Sequence, residues 1–252
     1  MLAVIGGTGL SEMRGFEPMG QKRVATPYSE QRVRVDLFQS RHGQFAFLPR
    51  HGKQHVIPPH RINYRANAWA LHKLGVKQVV AINAVGGIHE NLGPGAFAIP
   101  DQLIDYTYGR DATFFEDKLK SVTHITFTDP FSESLRQTLL NAVNAANLAM
   151  HGRRLVMDGG VYACMQGPRL ETAAEIRKLR NDGCDLVGMT AMPEAALLRE
   201  LEIDYAMLAL SVNWAAGLYH EEISMEAIAG VIEGGMEFVM AVLQKLQDSS
   251  GV

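Results

Sequence analysis

Three short stretches of the chain carry residue types that suit the binding of an anion. The first is Gly6-Gly7-Thr8-Gly9, whose backbone N–H groups and threonine hydroxyl can surround a phosphate-like group. The second is Arg50-His51, where a guanidinium can make two parallel bonds to phosphate oxygens and the imidazole adds a third donor. The third is Met189-Thr190, in which the methionine suits packing against a sugar and the threonine a bond to an anion. Taken singly, each stretch also fits a structural role: a tight turn, surface charge, or a core methionine before a helix.

The first and third of these stretches lie at the ends of predicted strands. Asn83-Ala84-Val85-Gly86-Gly87 and Asn213 also lie at strand ends, so four strand ends in all carry small or polar residues. In open α/β sheets, ligands bind at the carboxyl ends of the strands. The sequence therefore predicts that the four strand ends form one composite site.

The elements that would position these residues alternate between strands and helices. Short apolar or alternating runs predict strands over residues 2–5, 32–38, 45–48, 79–84, 185–189 and 205–212. Apolar residues at helical spacing, with Ser132 as an N-cap and Pro193 at a helix start, predict helices over residues 62–74, from 132, over 172–180, from 193 and over 224–246. This alternation predicts a single α/β domain over residues 1–252, with a twisted, mostly parallel or mixed sheet flanked by helices.

Composition excludes several other classes of protein. The 252 residues carry 24 Lys and Arg against 27 Asp and Glu, a net charge of −3, which argues against nucleic acid or a membrane surface as a partner. No apolar run is long enough to span a membrane, and the first five residues do not form a signal peptide. The two cysteines suit a reducing compartment, so we expect a cytoplasmic protein.

Common cofactor and metal motifs are missing from the sequence. It contains no dinucleotide-binding G-x-G-x-x-G, no P-loop, and none of the H-E-x-x-H, G-x-S-x-G and C-x-x-C patterns. His42, His51, His55 and His60 lie close together, but their spacing matches no compact ligand set and no carboxylate or thiolate lies among them. We therefore expect neither a metal nor a cofactor.

Six motifs in order resemble the trimeric purine nucleoside phosphorylase and 5′-methylthioadenosine phosphorylase family. They are spread over nearly the whole chain, and several independent motifs in the right order are far more specific than one glycine loop. The motifs are GGTGL at 6–10, RHGKQH at 50–55, NYRANAWAL at 63–71, NAVGGI at 83–88, QGPRLET at 166–172 and VGMTAMPEA at 187–195. The resemblance implies a nucleoside phosphorylase domain.

The resemblance also implies a reaction. Inorganic phosphate would attack C1′ of a purine nucleoside, without a metal, a cofactor or a covalent intermediate. Met189 would line the ribose, and His124 would reach the sugar pocket of a neighbouring subunit in a homotrimer. The expected catalytic residues are His51, Glu171 and Asn213. The expected phosphate-binding residues are Thr8, Arg50, His51, Asn83, Ala84 and Thr190.

Two residues indicate the base. Members of the family that cleave methylthioadenosine carry an aspartate where this chain has Asn213, whose amide can donate to O6 and accept from an N7 proton. Glu171 can accept the N1–H of hypoxanthine or guanine, whereas adenine has a lone pair at N1. Ala215 in place of an acid also argues against adenine, and Leu170 replaces the aromatic residue that usually stacks on the purine. We therefore expect a 6-oxopurine.

Met225 indicates the 5′ group of the sugar. Nucleoside phosphorylases of the family place a histidine there for the 5′-hydroxyl, whereas Met225 with Ile228 makes an apolar slot suited to a thiomethyl group. A core position on an amphipathic helix is the alternative interpretation of Met225. The combination resembles the bacterial S-methyl-5′-thioinosine phosphorylases and implies a purine methylthionucleoside and phosphate as substrates. Three alternatives stay open: a methylthioadenosine phosphorylase, an inosine or guanosine phosphorylase, and a nucleoside-binding protein or hydrolase that does not use phosphate.

Overall fold

The computed structural model describes residues 1–10, 12–41, 43–116, 121–152, 154–219 and 223–249. Within these residues the chain forms eleven strands in one sheet and five α-helices. The strands are β1 (Leu2–Gly6), β2 (Glu17–Thr26), β3 (Ser29–Ser40), β4 (Gly43–Pro49), β5 (Gln78–Gly87), β6 (Phe97–Ile99), β7 (Gln102–Asp105), β8 (Val156–Asp158), β9 (Val161–Cys164), β10 (Leu186–Gly188) and β11 (Asp204–Trp214). The helices are α1 (Tyr64–Lys73), α2 (Glu133–Ala149), α3 (Ala173–Asn181), α4 (Ala191–Glu200) and α5 (Met225–Ser249).

The central strand β5 has neighbours at both edges. Along one edge, β11 runs parallel to β5 over its whole length. Along the other edge, β1 runs parallel to β5 as far as Ile82, and β10 pairs antiparallel with Gly86 and Gly87. Among the described strands, none pairs with residues 83–85 at that edge. An opening, which we call the sheet gap, therefore separates the end of β1 from the end of β10.

The remaining strands make the sheet mixed. β2, β3 and β4 form an antiparallel meander that joins β1, while β9 and β7 extend the sheet beyond β10. This architecture confirms the predicted fold class, and all six predicted strands are present with bounds shifted by a few residues. The sequence does not predict β2, β6, β7, β8 or β9. β2 is largely exposed and contains Pro18 and Gly20, and the other four have only three or four residues, so none shows a clear hydrophobic period.

Helices cover both faces of the sheet. Successive strand residues point to opposite faces. Ala3 and Ile5 of β1 therefore join a core with α1 and α4, whereas Leu2 and Val4 join a core with α2 and α5. None of the helices in the described ranges is long and apolar enough to cross a membrane.

Side-chain caps and a kink define the helix starts. Asn63, Ser132 and Thr172 cap α1, α2 and α3, and each accepts a hydrogen bond from the backbone N–H three residues on. The predicted helix start at Pro193 lies inside α4, directly after Met192, whose backbone dihedrals are not helical. Met189 and Thr190, between the end of β10 and the start of α4, form a short loop at the sheet gap.

Candidate active site

A cavity of about 490 Å³ opens at the sheet gap. β1 and β10 run toward each other along β5, because β1 is parallel to β5 and β10 is antiparallel to it. The residues that follow them, Gly7-Thr8 and Met189-Thr190, meet beside Asn83 and line this cavity. Asn213, near the end of β11, lines it as well. The structure thus brings the four predicted strand ends together.

Most of the residues predicted for the site lie on the cavity wall, and their roles remain predictions. His124 is exposed and is not one of the residues lining the cavity. His42 lies outside the described residues, and in the part of the chain that is described no three His, Cys, Asp or Glu side chains are grouped to hold a metal ion. The predicted residues on the wall are Thr8, Arg50, His51, Asn83, Ala84, Leu170, Glu171, Met189, Thr190, Asn213, Ala215 and Met225.

Arg50 is buried at one end of the cavity and paired with a carboxylate. Its Nε and Nη2 donate to the two carboxylate oxygens of Glu194 at 2.7 Å each, and both side chains are buried. The prediction that Arg50 offers two parallel donors to an anion therefore needs correction, because Glu194 takes that pair of donors. Nη1 is the guanidinium nitrogen left for a ligand, and it lies beside Gly7.

A chain of hydrogen bonds extends from this ion pair. Nη2 of Arg50 also donates to Oδ1 of Asn83 at 3.2 Å, and Nδ2 of Asn83 donates to the Thr190 hydroxyl at 2.8 Å. Tyr205 donates its hydroxyl to Glu194 at 2.8 Å. Burial alone would lower the pKa of Arg50, but the Glu194 carboxylate raises that pKa above its ordinary range. Arg50 therefore stays a cation held in a fixed orientation, and we call this part of the cavity the anion end.

His51 also lines the anion end, in a neutral state. Burial lowers the pKa of His51 from 6.5 to about 4. Its Nδ1 lies 2.8 Å from the carbonyl oxygen of Ile57, which only accepts, so Nδ1 carries the single ring proton. The prediction that the imidazole adds a third donor to an anion therefore needs correction, because Nε2 of the neutral ring carries no proton. The other ring nitrogen, Nε2, offers a lone pair that can accept a proton from a protonated oxygen.

The turn after β1 comes very close to the anion end. A Cβ atom built on Gly7 would lie 2.4 Å from the carbonyl oxygen of Ile82 and 3.1 Å from Nη1 of Arg50, so only glycine fits. The hydroxyl of Thr8 lies 3.4 Å from Nε2 of His55. The glycine-rich turn therefore places a backbone and a hydroxyl within reach of whatever Arg50 binds.

Asn213 and Glu171 lie in the part of the cavity that we call the base end. Nδ2 of Asn213 donates to the carbonyl oxygen of Trp214 at 2.7 Å. Since that carbonyl can only accept, the bond sets the orientation of the amide. One N–H and the carbonyl oxygen of Asn213 remain for a ligand. Burial raises the pKa of Glu171 above its usual value, so its carboxylate gains from a ligand that donates a proton.

Apolar side chains form the mouth of the cavity, which we call the apolar rim. Met225, at the first turn of α5, is 72% exposed, so the alternative that it is a core residue is wrong. Ile228 lies one turn further along the helix and is buried. Val56, Ile57 and Ile223 line the cavity with them. This rim suits an apolar group better than a hydroxyl.

Sequence reasoning missed several residues that shape the site. Glu194 and His55 stand in quoted motifs, VGMTAMPEA and RHGKQH, yet no local pattern links Glu194 to Arg50, 144 residues away. Arg110 belongs to none of the motifs. It binds the backbone beside the site from a loop after β7, and no sequence signal indicates this.

Comparisons with known proteins identify the family of the chain. The phosphorylase superfamily profile matches residues 1–247. A probable S-methyl-5′-thioinosine phosphorylase from Pseudomonas syringae pv. tomato is 48% identical over 98% of both chains. A probable 6-oxopurine nucleoside phosphorylase from Thermococcus kodakarensis is 39% identical over 86% of this chain and 80% of its own.

Solved structures give the same result for the fold. The methylthioadenosine phosphorylase from Schistosoma mansoni in complex with adenine superposes with a TM-score of 0.91 at 30% identity, covering 98% of this chain and 90% of that one. A methylthioadenosine phosphorylase from an antarctic soil metagenomic library gives a TM-score of 0.86 at 33% identity, covering 97% of this chain and 84% of that one. With a match over nearly its whole length in sequence and in fold, the chain belongs to the phosphorylase superfamily.

Proposed function

We propose that the chain catalyses the phosphorolysis of S-methyl-5′-thioinosine to hypoxanthine and 5-methylthioribose 1-phosphate. One observation carries the proposal: Arg50 with its buried network and Asn213 with Glu171 line a single cavity. An anion and a hydrogen-bonding heterocycle can therefore bind side by side. The names of the S-methyl-5′-thioinosine phosphorylase relatives support the same substrate.

The anion end suits inorganic phosphate. Nη1 of Arg50, the hydroxyls of Thr8 and Thr190, and the backbone at Asn83-Ala84 supply donors to phosphate oxygens. Nε2 of neutral His51 can accept a hydrogen bond from the protonated oxygen of monohydrogen phosphate. This is the one phosphate oxygen that none of the other donors should contact. The phosphate would thus be bound in an orientation that leaves one unprotonated oxygen able to attack C1′.

The chemistry balances without a cofactor. A phosphate oxygen forms a bond to C1′ while the bond from C1′ to N9 of the purine breaks, through a transition state with oxocarbenium character. The purine leaves with its electron pair and gains a proton at N7, equal to the proton that monohydrogen phosphate loses. Asn213 stabilises the departing base, because its free N–H donates to O6 and its carbonyl oxygen accepts from N7–H.

The base end favours a 6-oxopurine over adenine. The Glu171 carboxylate accepts the N1–H of hypoxanthine, whereas the lone pair at N1 of adenine would face it unpaired. A site built around such a bond rejects the analogue that lacks the donor by about 10⁴-fold. The solved methylthioadenosine phosphorylases share the fold, so the identity of residue 213 and the proton state of Glu171 decide between the two bases.

The sugar would bind between these ends. Met189 lines the cavity and suits the ribose, and the apolar rim at Met225 and Ile228 suits a methylthio group at C5′. We further propose a cytoplasmic enzyme with one catalytic domain, acting as a homotrimer in which the exposed His124 reaches a neighbouring cavity. Light scattering tests the trimer, and a monomer would contradict both it and the role of His124.

Release of free base, measured with and without phosphate on three nucleosides, tests the proposal. S-methyl-5′-thioinosine, S-methyl-5′-thioadenosine and inosine are compared side by side. We expect phosphate-dependent cleavage of the first, with the other two much poorer. Preference for the adenosine would contradict the roles of Asn213 and Glu171, and preference for inosine would contradict the role of Met225. Cleavage without phosphate would indicate a hydrolase, and no cleavage at all would indicate a binding protein.

A further inference from the structure

Arg110 makes an unusual set of hydrogen bonds outside the cavity wall. Its Nη1 donates to the carbonyl oxygens of Met189, at 2.9 Å, and Met192. Its Nη2 donates to the carbonyl oxygens of Gln166, at 2.9 Å, and Met165, at 3.3 Å. Nε donates to the side-chain oxygen of Gln166 at 3.1 Å. One half-buried guanidinium thus binds two separate segments, the loop after β9 and the loop after β10 with the first turn of α4.

These two loops carry opposite parts of the site. Residues 165–171 follow β9 and lead to Glu171 at the base end, and residues 189–192 follow β10 and carry Met189 and Thr190. The loops also pack directly on each other. A Cβ atom built on Gly167 would lie 2.4 Å from Sδ of Met189. The contact between these segments, which Arg110 holds together, therefore determines the distance between the base end and Met189.

The partners of Arg110 explain why a guanidinium is needed. Its described partners are carbonyl oxygens, the Gln166 amide oxygen and the Tyr64 hydroxyl, at 3.3 Å from Nη1. The guanidinium also lies over the Tyr64 ring, 5.4 Å from its centroid. Several carbonyl oxygens converging on one point repel one another unless a donor-rich cation stands between them. A lysine ammonium has three donors on a single atom and cannot span both loops in one plane.

We propose that Arg110 is a positioning residue that fixes the nucleoside-binding half of the cavity, and so sets nucleoside affinity and base selectivity without touching the substrate. This inference rests on the proposed function. At the anion end, Arg50, Asn83 and Glu194 make no bond to Arg110. Thr190 lies between two residues that Arg110 binds, but its hydroxyl is also held by Nδ2 of Asn83 at 2.8 Å. A displaced loop at 165–171 should therefore affect the nucleoside much more than phosphate.

Steady-state kinetics of Arg110→Lys, with each substrate varied in turn, tests the proposal. The wild-type enzyme is assayed first, and its preferred purine nucleoside is used, so failure of the substrate assignment is seen before the variant is measured. We expect kcat/KM for the nucleoside to fall by about 100-fold, the effect of a misplacement near 1 Å. We expect KM for phosphate to stay within about threefold of wild type. Discrimination between the 6-oxo and 6-amino nucleosides should weaken.

Arg199→Lys is the matched control. Arg199 also donates to backbone carbonyl oxygens, those of Thr126 and Asp129, but these lie away from the cavity. We expect it to leave both KM values within about threefold of wild type. An Arg110→Lys enzyme with unchanged nucleoside kinetics would overturn the proposal. Equal changes in both KM values would also overturn it, since that pattern indicates a general structural role.

Chemical rescue provides a second measurement. In Arg110→Ala, millimolar guanidinium, far below denaturing concentrations, should restore nucleoside turnover by refilling the space between the loops, whereas ethylammonium should not. Equal rescue by both cations, or none by either in a folded variant, would contradict a geometric role for the guanidinium. If Arg110→Ala does not fold, the Arg110→Lys kinetics decide alone.

Discussion

Arg50 and Glu194 are 144 residues apart in sequence, yet two hydrogen bonds of 2.7 Å join the guanidinium to the carboxylate. Both side chains are buried, and the Tyr205 hydroxyl donates a further hydrogen bond to the Glu194 carboxylate. The pair keeps Arg50 charged and oriented while leaving only part of its guanidinium for a ligand. Glu194 is thus as much a part of the anion end as the residues that face the cavity.

The first prediction concerns this ion pair. Arg50→Ala removes a phosphate donor and leaves a buried, unpaired carboxylate. We expect a sharply higher KM for phosphate and a loss of about 3–5 kcal/mol in the free energy of unfolding. Phosphate saturation curves and urea denaturation measure the two effects separately. An unchanged KM for phosphate would show that Arg50 does not bind phosphate.

A double variant separates stability from binding. Replacing both partners with apolar residues, Arg50→Met with Glu194→Leu, removes the unpaired charge. We expect most of the lost free energy of unfolding to return, because an ion pair exchanged for packed apolar side chains is often neutral. Phosphate binding should stay weak. A double variant as unstable as Arg50→Ala would show that the stranded carboxylate is not the cause.

The second prediction is a pH effect on stability from His51. Burial lowers its pKa from 6.5 in the unfolded chain to about 4 in the folded protein. Between those values the unfolded chain binds a proton that the folded chain does not, so the free energy of unfolding falls as the pH is lowered through this window. Thermal unfolding at pH 7 and pH 5 should show a smaller loss in His51→Gln than in wild type. His72→Gln, at an exposed position of α1, serves as control and should behave like wild type.

The third prediction is a pH effect on activity from Glu171. Burial raises the pKa of this carboxyl, and only the ionised form accepts N1–H of a 6-oxopurine. We expect kcat/KM for S-methyl-5′-thioinosine to fall as the pH decreases through the raised pKa. The assay is run at a constant concentration of monohydrogen phosphate, so that titration of the co-substrate does not contribute. Glu171→Gln should be less active, and its kcat/KM should no longer fall as the pH decreases. A fall as large as that of the wild type would show that another group causes it.

The fourth prediction concerns base choice at Asn213. In Asn213→Asp, the new carboxyl would face the carbonyl oxygen of Trp214 at the 2.7 Å contact and would favour its protonated form. The carboxyl has a single proton, which turns from Trp214 to N7 when the substrate binds, while its other oxygen accepts from the 6-amino group. We expect the ratio of kcat/KM for methylthioadenosine to that for methylthioinosine to rise by at least about tenfold. Asn213→Ala is the control and should weaken both substrates, and an unchanged ratio in Asn213→Asp would count against the base end.

The fifth prediction concerns the sugar. Met225→His places a hydrogen-bonding side chain in the apolar rim, so inosine should gain on S-methyl-5′-thioinosine in kcat/KM by roughly 10-fold, equivalent to one hydrogen bond of about 1.4 kcal/mol. Glu226→His, at an exposed neighbouring position, should leave the preference unchanged. If both variants behave alike, the rim does not contact the 5′ group.

Local patterns predicted the parts of the site that depend on local structure. Glycines marked the turn after β1, and Ser132 and Thr172 marked helix starts, because turn and cap preferences act over a few residues. The direction of β10 was not predictable in this way. Only its antiparallel pairing with β5 brings Thr190 back to Asn83, in the middle of a neighbouring strand rather than at its end. Glu194 and Arg110 act through contacts between distant segments, which no periodicity records.

Two parts of the cavity differ in how they respond to mutation. The anion end at the sheet gap resists substitution, whereas exposed residues at the mouth of the cavity tolerate it. The anion end is held by four strands of one sheet, at the ends of β1, β4 and β10 and in the middle of β5, and it has no room for even a Cβ atom at Gly7. Met225 and Leu170, at 72% and 46% exposure, stand on the surface, where substitutions usually change stability by no more than about 0.5 kcal/mol. A lineage carrying this fold can therefore change the 5′ group that it accepts on the sugar through single substitutions at the surface, while the use of phosphate is inherited intact.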